Sequence, residues 1–380
     1  MTTSISDAYR LQPQGASFTL SRGGRFVLSC DAEGRMLTWF EDGTLYKRSL
    51  DSRVLARRAA HGRRERWALD DHEAADMFER VRTFVARALD EPLQKTLLER
   101  TVAWTPDRLL AERAKFARAY APVGILPPDQ YFSVVLQATL GCSWNKCTFC
   151  TFYEGRPFTV KTQGAFEVHL TDVRDFLGEG ATLRRSLFLA DGNALMVANA
   201  KLLPMMNAAK RTFPNRDFYG FVDVFTGQRK TVEQWAELRE AGLRRVYLGL
   251  ETGHDPLLAW VNKPGGRAES VELVTTLKAA GLNVAPIVML GVGGRTFAEA
   301  HVRDTLALLE ALPLAPGDLV YLSPFVQHDG GEYARRADAD GLEPLSEPES
   351  ELQFDVLRDA VKRAHPFVRA ARYDIREFLY

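Results

Sequence analysis

Cysteine is scarce in this chain, four in 380 residues, which excludes a fold stapled together by disulfides. Net charge is missing as well. The 49 basic and 49 acidic residues cancel, so the molecule as a whole carries no electrostatic footprint for nucleic acid or an anionic membrane, and any such partner requires a local patch. No apolar run approaches the roughly 20 residues of a membrane span. The N-terminal MTTSISDAYRLQPQGASF lacks the positive segment and apolar run of a secretory signal. These absences lead to the expectation of a cytoplasmic protein with no membrane partner.

With 46% apolar residues, the chain has material for one large core or two to three domains. FTLSRGGRFVLSCDAEGRMLTWFEDGTLYKRSL breaks short apolar runs with Gly-Gly, Glu-Gly and Asp-Gly, the turn chemistry of hairpins. We expect a small β-rich unit over 1–67, with Cys30 a buried core thiol. RVLARRAAHGRRERW carries six arginines between Arg53 and Arg66. It reads as a solvated basic linker, the alternative being a clamp for RNA or an anionic substrate. A helical segment over 68–125 follows: Ala74, Met77, Phe78, Val81, Phe84 and Val85 recur with the spacing of one buried helix face, and a second stretch from about Leu93 to Tyr120 is interrupted near Pro106.

Beyond the Pro-Pro of GILPPDQY, strands alternate with helices. FSVVLQATLG, RSLFLADG, DFYGFVDV, RRVYLGLE, NVAPIVMLG and DLVYLSPF are apolar runs suited to parallel strands buried on both faces. LREAGL and LKAAGL each place Gly just past a helix end. Thr231 and Thr296 open capping-box patterns. The class is α/β with a parallel sheet, open or curled into a full or partial barrel, and in either case ligands sit outside the carboxyl ends of the strands.

Three of the four cysteines occupy that place. GCSWNKCTFC (141–150) directly follows the first of these strands, so Cys142, Cys147 and Cys150 form one C-x4-C-x2-C ligand set. A structural zinc site wants four ligands, which a distant His169 or His254 would have to complete. Iron–sulfur clusters are held by thiolates, usually four, and three leave one iron open.

With this motif the chain resembles the radical S-adenosylmethionine (SAM) superfamily. The resemblance covers about residues 130–325 and implies a partial (β/α)6 barrel (126–325) between the N-terminal additions and a helical C-terminal extension (326–380). It implies one [4Fe–4S] cluster on Cys142, Cys147 and Cys150, with SAM on the open iron and Phe149 near the adenine. The spacing departs from the usual pattern, in which three residues rather than SWNK separate the first two cysteines. FLADGNAL is similar to the family's Gly-Gly-Glu segment, which puts Asp191, Gly192 and Asn193 near the SAM amino group; a plain turn is the alternative. LGLETG is similar to Leu-Gly-Leu-Glu-Ser-Gly and puts Glu251 near the ribose or methionine. Gly291 in VMLGVGGRT lets backbone approach the adenosine, whereas a phosphate loop would need a complete G-x-G-x-x-G. Asp223, ending the third strand, is the candidate catalytic or substrate-facing carboxylate, the alternative being a structural one.

The implied activity is reductive cleavage of SAM to a 5′-deoxyadenosyl radical acting on a small molecule or peptide. An electron donor such as flavodoxin or ferredoxin and sensitivity to oxygen go with it. Modification of RNA and a non-enzymatic zinc- or cluster-binding role are the alternatives. No thiol beyond Cys30 is left for an auxiliary cluster or a hydrogen-atom donor, and no Asp-x-His-x-x-Gly motif announces a cobalamin domain. The expected outcome is rearrangement, fragmentation, coupling or oxidation.

Overall fold

A computed structural model of the chain describes residues 8–60 and 63–380, and the chain divides into two compact units. The first holds the residues up to Val123 with Thr171–Arg185 and Leu379–Tyr380; the second holds Gly124–Leu170 and Ser186–Phe378.

In the first unit, β1 (Tyr9–Gln14), β2 (Ser17–Arg22), β3 (Phe26–Asp31), β4 (Met36–Glu41), β5 (Thr44–Arg48), β6 (Val54–Ala60) and β7 (Arg63–Ala68) form one antiparallel sheet in chain order. The turn between β4 and β5 is Asp42-Gly43, both at positive φ, the two-residue geometry whose twist matches the flanking strands. Phe18, Leu20, Leu28 and Trp39 on one face of the sheet pack against Met77, Phe78 and Phe84 of α1 (Asp71–Ala88). This is the stripe read from the sequence. Helices α2 (Lys95–Val102) and α3 (Pro106–Ala119) follow, the latter capped by Thr105 with Pro106 in its first turn.

The arginine run is not a linker. It forms the β6–β7 hairpin, in which Arg57 pairs with Arg66 and Arg58 with Glu65. Strand pairing satisfies its backbone, and Arg58 bonds Glu65 at 2.8 Å while lying 5.6 Å from the ring centre of Trp67. His61, Gly62 and the side chains of Ala60, Arg63 and Arg64 lie outside the described residues.

The second unit opens with β8 (Ser133–Gln137). A two-stranded ribbon, β9 (Thr139–Leu140) and β10 (Thr159–Val160), brackets the cysteine loop. Then come α4 (Gln163–Leu177), whose residues from Thr171 onward are counted with the first unit, β11 (Ser186–Ala190), α5 (Asn199–Thr212), β12 (Asp217–Val222), α6 (Val224–Gly227), α7 (Val232–Glu240), β13 (Leu243–Glu251), α8 (Asp255–Trp260), α9 (Arg267–Ala279), β14 (Asn283–Leu290), α10 (Gly294–Ala311), β15 (Leu319–Pro324), α11 (Glu332–Ala339), α12 (Glu347–Ala364) and β16 (Arg369–Arg372). The sheet is parallel in the order β8-β11-β12-β13-β14-β15-β16. It curls into a partial barrel. Phe188 on β11 lies 5.9 Å from Tyr247 on β13, and Asp129 accepts from both Tyr247 on β13 and Tyr321 on β15; strands two apart in a flat sheet stand about 10 Å from each other.

All six expected strands are present. The C-terminal extension, read as helical, also adds β16, whose four residues RAAR carry no apolar run that would mark a strand. The Thr231 capping box is formed, but Thr296 caps nothing: α10 begins two residues earlier, behind Gly293 at φ +80°, and the Arg295 amide already donates to the Glu343 carbonyl. Among the described residues no helix is long and apolar enough to cross a membrane.

Candidate functional site

The three cysteines of the loop are free, half-buried thiols that line one cavity at the carboxyl ends of the strands. Phe149, Phe152, Tyr153, Phe325 and Met289 supply its apolar wall, and Asp223, Glu251 and Lys263 its charges. Burial pushes Cys147 up to about 12, with Lys263 pulling down and Cys150, Glu251 and Cys142 pushing further up. It pushes Cys150 up to about 11, against a backbone hydrogen bond at Phe152 that lowers it. Both thiols are therefore protonated near neutrality, and a metal that binds them must displace protons.

Glu251 ends β13 at a register shift and holds φ at +62°, a left-handed conformation that costs a non-glycine residue about 1–2 kcal/mol. A latch behind it maintains that conformation. His301 Nδ1 and Thr252 Oγ1 share a hydrogen bond of 2.7 Å, the Gly253 amide donates to Thr305 Oγ1, and His254 pairs with Asp304 at 2.6 Å. The Glu251 carboxylate meets Lys263 Nζ at 3.1 Å, both side chains nearly buried. Burial works to lower the Lys263 ammonium, but Glu251, Cys147 and Asp223 overcome it and hold it above its ordinary value.

The structure brings Cys142, Cys147, Cys150, Phe149, Gly192, Asp223 and Glu251 to one cavity. Gly192 permits the close fit of the cysteine loop on the end of β11: a Cβ there would stand 2.9 Å from the Tyr153 ring and 3.1 Å from the Cys142 Cβ. The side chains flanking it turn to other partners. Asp191 Oδ2 accepts from Arg156 at 3.0 Å and from the Gly141 amide at 3.4 Å, stapling the two ends of the loop. Burial raises its carboxyl to about 6 against the opposing pull of Arg156, Gly141 and Lys161. Asn193 donates to Ser143, Thr226 and Asp223. Asp223 also caps α6 through the Thr226 amide. Gly291 lies in an adjoining pocket between β14, β15 and α12, its amide donating to Gln353.

Sequence reasoning missed Lys263. Its only signal is a lone lysine between an apolar pair and Pro-Gly-Gly in WVNKPGG, in a chain with 11 lysines among 49 basic residues. Sequence reasoning also missed Phe152 and Tyr153, whose signal is the aromatic density of CTFCTFY, and Tyr373, from the far C-terminus, which carries no mark.

Residues 136–309 match the family model of the Radical SAM superfamily. No curated protein matches the sequence. Solved structures similar to this chain include coproporphyrinogen III oxidase (HemN) from Escherichia coli, a radical SAM enzyme, at 14% identity over 66% of this chain and 55% of that one, with a TM-score of 0.47. Methylornithine synthase (PylB) follows at 14% identity, 76% and 81% coverage and a TM-score of 0.42. The cobalamin-dependent SAM radical enzyme OxsB, with aqua-cobalamin and SAM bound, has 15% identity, 69% and 34% coverage and a TM-score of 0.41. The chain thus spans about a third of the OxsB chain and about half of HemN. It is residues 136–309 that carry the match to the radical SAM superfamily, whose members work with a [4Fe–4S] cluster and S-adenosylmethionine.

Proposed function

We propose that this chain cleaves SAM reductively at one [4Fe–4S] cluster held by Cys142, Cys147 and Cys150, and acts on a small molecule or peptide. The observation that carries this reading is the donor set: three unpaired thiols face one cavity. Among the described residues, no three His, Cys, Asp or Glu side chains stand close enough to hold a single metal ion. One thiolate per iron spans a wider triangle than the tetrahedral nest of zinc. When bound and reduced, the cluster supplies the electron that splits SAM into methionine and a 5′-deoxyadenosyl radical.

The chain's own residues bind, orient and exclude water. Glu251 and Asp223 are the cavity's acceptors for an ammonium, and Lys263 is its cation for a carboxylate. Phe149 is the aromatic wall beside the loop for an adenine. Asp191, Gly192 and Asn193 serve this site by holding the loop against the end of β11, and Gly291 serves it from the adjoining pocket. An electron donor of the flavodoxin or ferredoxin kind completes the requirement.

Anaerobic reconstitution tests the reading. Protein carrying about four irons and four sulfides that releases 5′-deoxyadenosine from SAM on reduction is the expected result. Stoichiometric zinc without acid-labile sulfide would defeat it.

A further inference from the structure

The residues between the first two cysteines, Ser143 to Lys146, are irregular. Asn145 stands at φ +49° and, with Lys146, is exposed. A segment this short and polar does not hold Cys142 and Cys147 at a set distance by itself. The structure shows what grips it. Val261, Asn262 and Lys263, just past α8, lie along the loop. The Val261 carbonyl accepts from the Thr148 amide at 3.0 Å and from its hydroxyl at 3.4 Å. The Asn262 carbonyl accepts from Trp144 Nε1 at 2.8 Å, and Asn262 Nδ2 donates to the Lys146 carbonyl at 2.9 Å. Asn262 is itself left-handed at φ +54°, which points its carbonyl and its amide at the same loop. The next residue, Lys263, lines the cavity and pairs with Glu251.

We propose that Asn262 is a positioning residue: with Trp144 it forms a bracket that sets the separation of Cys142 and Cys147 and ties it to the Lys263–Glu251 pair. The proposal rests on the cluster reading for its purpose but not for its geometry. Other contacts touch the loop as well: Asn193 donates to Ser143 and Asn145 to the Tyr153 carbonyl, while the Trp144 ring lies 6.3 Å from that of Phe225 and 5.3 Å from Lys146 Nζ; neither of these two hydrogen bonds reaches Trp144 or Lys146. Cys150 lies outside the bracket, joined to Cys147 through its own amide.

The test labels the metal-free full-length chain with a neutral maleimide under argon and reads each cysteine by peptide mass spectrometry. Asn262→Gly removes the side-chain donor and keeps the left-handed backbone; Trp144→Phe removes the other donor and serves if the first variant does not fold. In each, Cys142 and Cys147 label about three- to ten-fold faster, while Cys150 and the core thiol Cys30 keep the parent rates. After reconstitution, the EPR g-values of the reduced cluster shift from the parent's. Unchanged Cys142 and Cys147 rates in both variants overturn the bracket, and so does a rise shared by Cys150, which marks general loosening. A parent protein that takes up only zinc sinks the cluster reading, whereas the labelling still decides the bracket.

Discussion

Cys30 and the three loop cysteines carry the same chemical group in opposite surroundings. Cys30 is on β3, wholly buried among Leu28, Met36, Trp39 and Val54, with the Thr101 hydroxyl 3.9 Å from its sulfur. Burial first, then the Asp31 charge, lifts its pKa far above the ordinary thiol value. Nothing reaches it without opening the core, so it behaves as a small hydrophobe. Cys147 and Cys150 on the loop are also hard to ionise, yet they face a cavity that Lys263 lines with them. Burial in a closed core makes a thiol inert, whereas a thiol that faces an open space can bind a metal by releasing its proton.

The largest expected difference between the two regions is all or none. Cys142→Ala, Cys147→Ala or Cys150→Ala abolishes both iron incorporation and 5′-deoxyadenosine release, read by iron and sulfide analysis and by chromatography. Each changes unfolding free energy by less than about 1 kcal/mol, because the ligands lie on a loop. Loss of folding in all three would show that the loop is structural, like the core around Cys30.

Lys263→Met comes next. It leaves Glu251 buried without its cation and lowers the stability of the second unit by about 3–5 kcal/mol in urea denaturation. Lys263→Met with Glu251→Gln recovers much of this. A loss below about 1 kcal/mol would mean that the pair is solvated.

Acid separates the regions in a third way. Burial, reinforced by His254, depresses His301 from 6.5 to about 4. Between those values the unfolded chain binds more protons than the native one, so this contribution is fully present above pH 6.5 and is lost as pH falls toward 4. His301→Leu is less stable at neutral pH through the lost bond to Thr252, but its unfolding midpoint declines less steeply than the parent's from pH 6.5 to 4. Parallel declines would refute the assignment.

The smallest effect belongs to Cys30→Ala, which creates a small void and costs about 1 kcal/mol. It leaves cluster content and product formation unchanged. Release of 5′-deoxyadenosine without product in that variant would make Cys30 a hydrogen donor and erase the contrast.

Much of the fold was legible because local chemistry and final structure agree. The α1 stripe, the six apolar strands, the Thr231 box and the Asp-Gly turn depend on residues within a few positions of each other. The candidate cysteine set was legible because its three thiols share one loop. Thr296 misled because Gly293 supplies a left-handed backbone that starts α10 earlier, and RAAR was silent because an edge strand of four residues needs little apolar surface.

The sequence by itself determined that three thiols stand at the carboxyl end of a parallel strand and that Cys30 stands apart in a β unit, because spacing and hydrophobic pattern are local quantities. Only the tertiary structure decided which charges face those thiols. Lys263 lies twelve positions beyond Glu251 and more than a hundred beyond Cys147, and no periodicity relates them. Asp191 and Asn193, adjacent to the cavity in sequence, spend their polar atoms on Arg156, Gly141, Ser143 and Asp223. Buried polar groups bond the partners that folding brings within reach, and chain closure across β11, β12 and β13 chooses those partners.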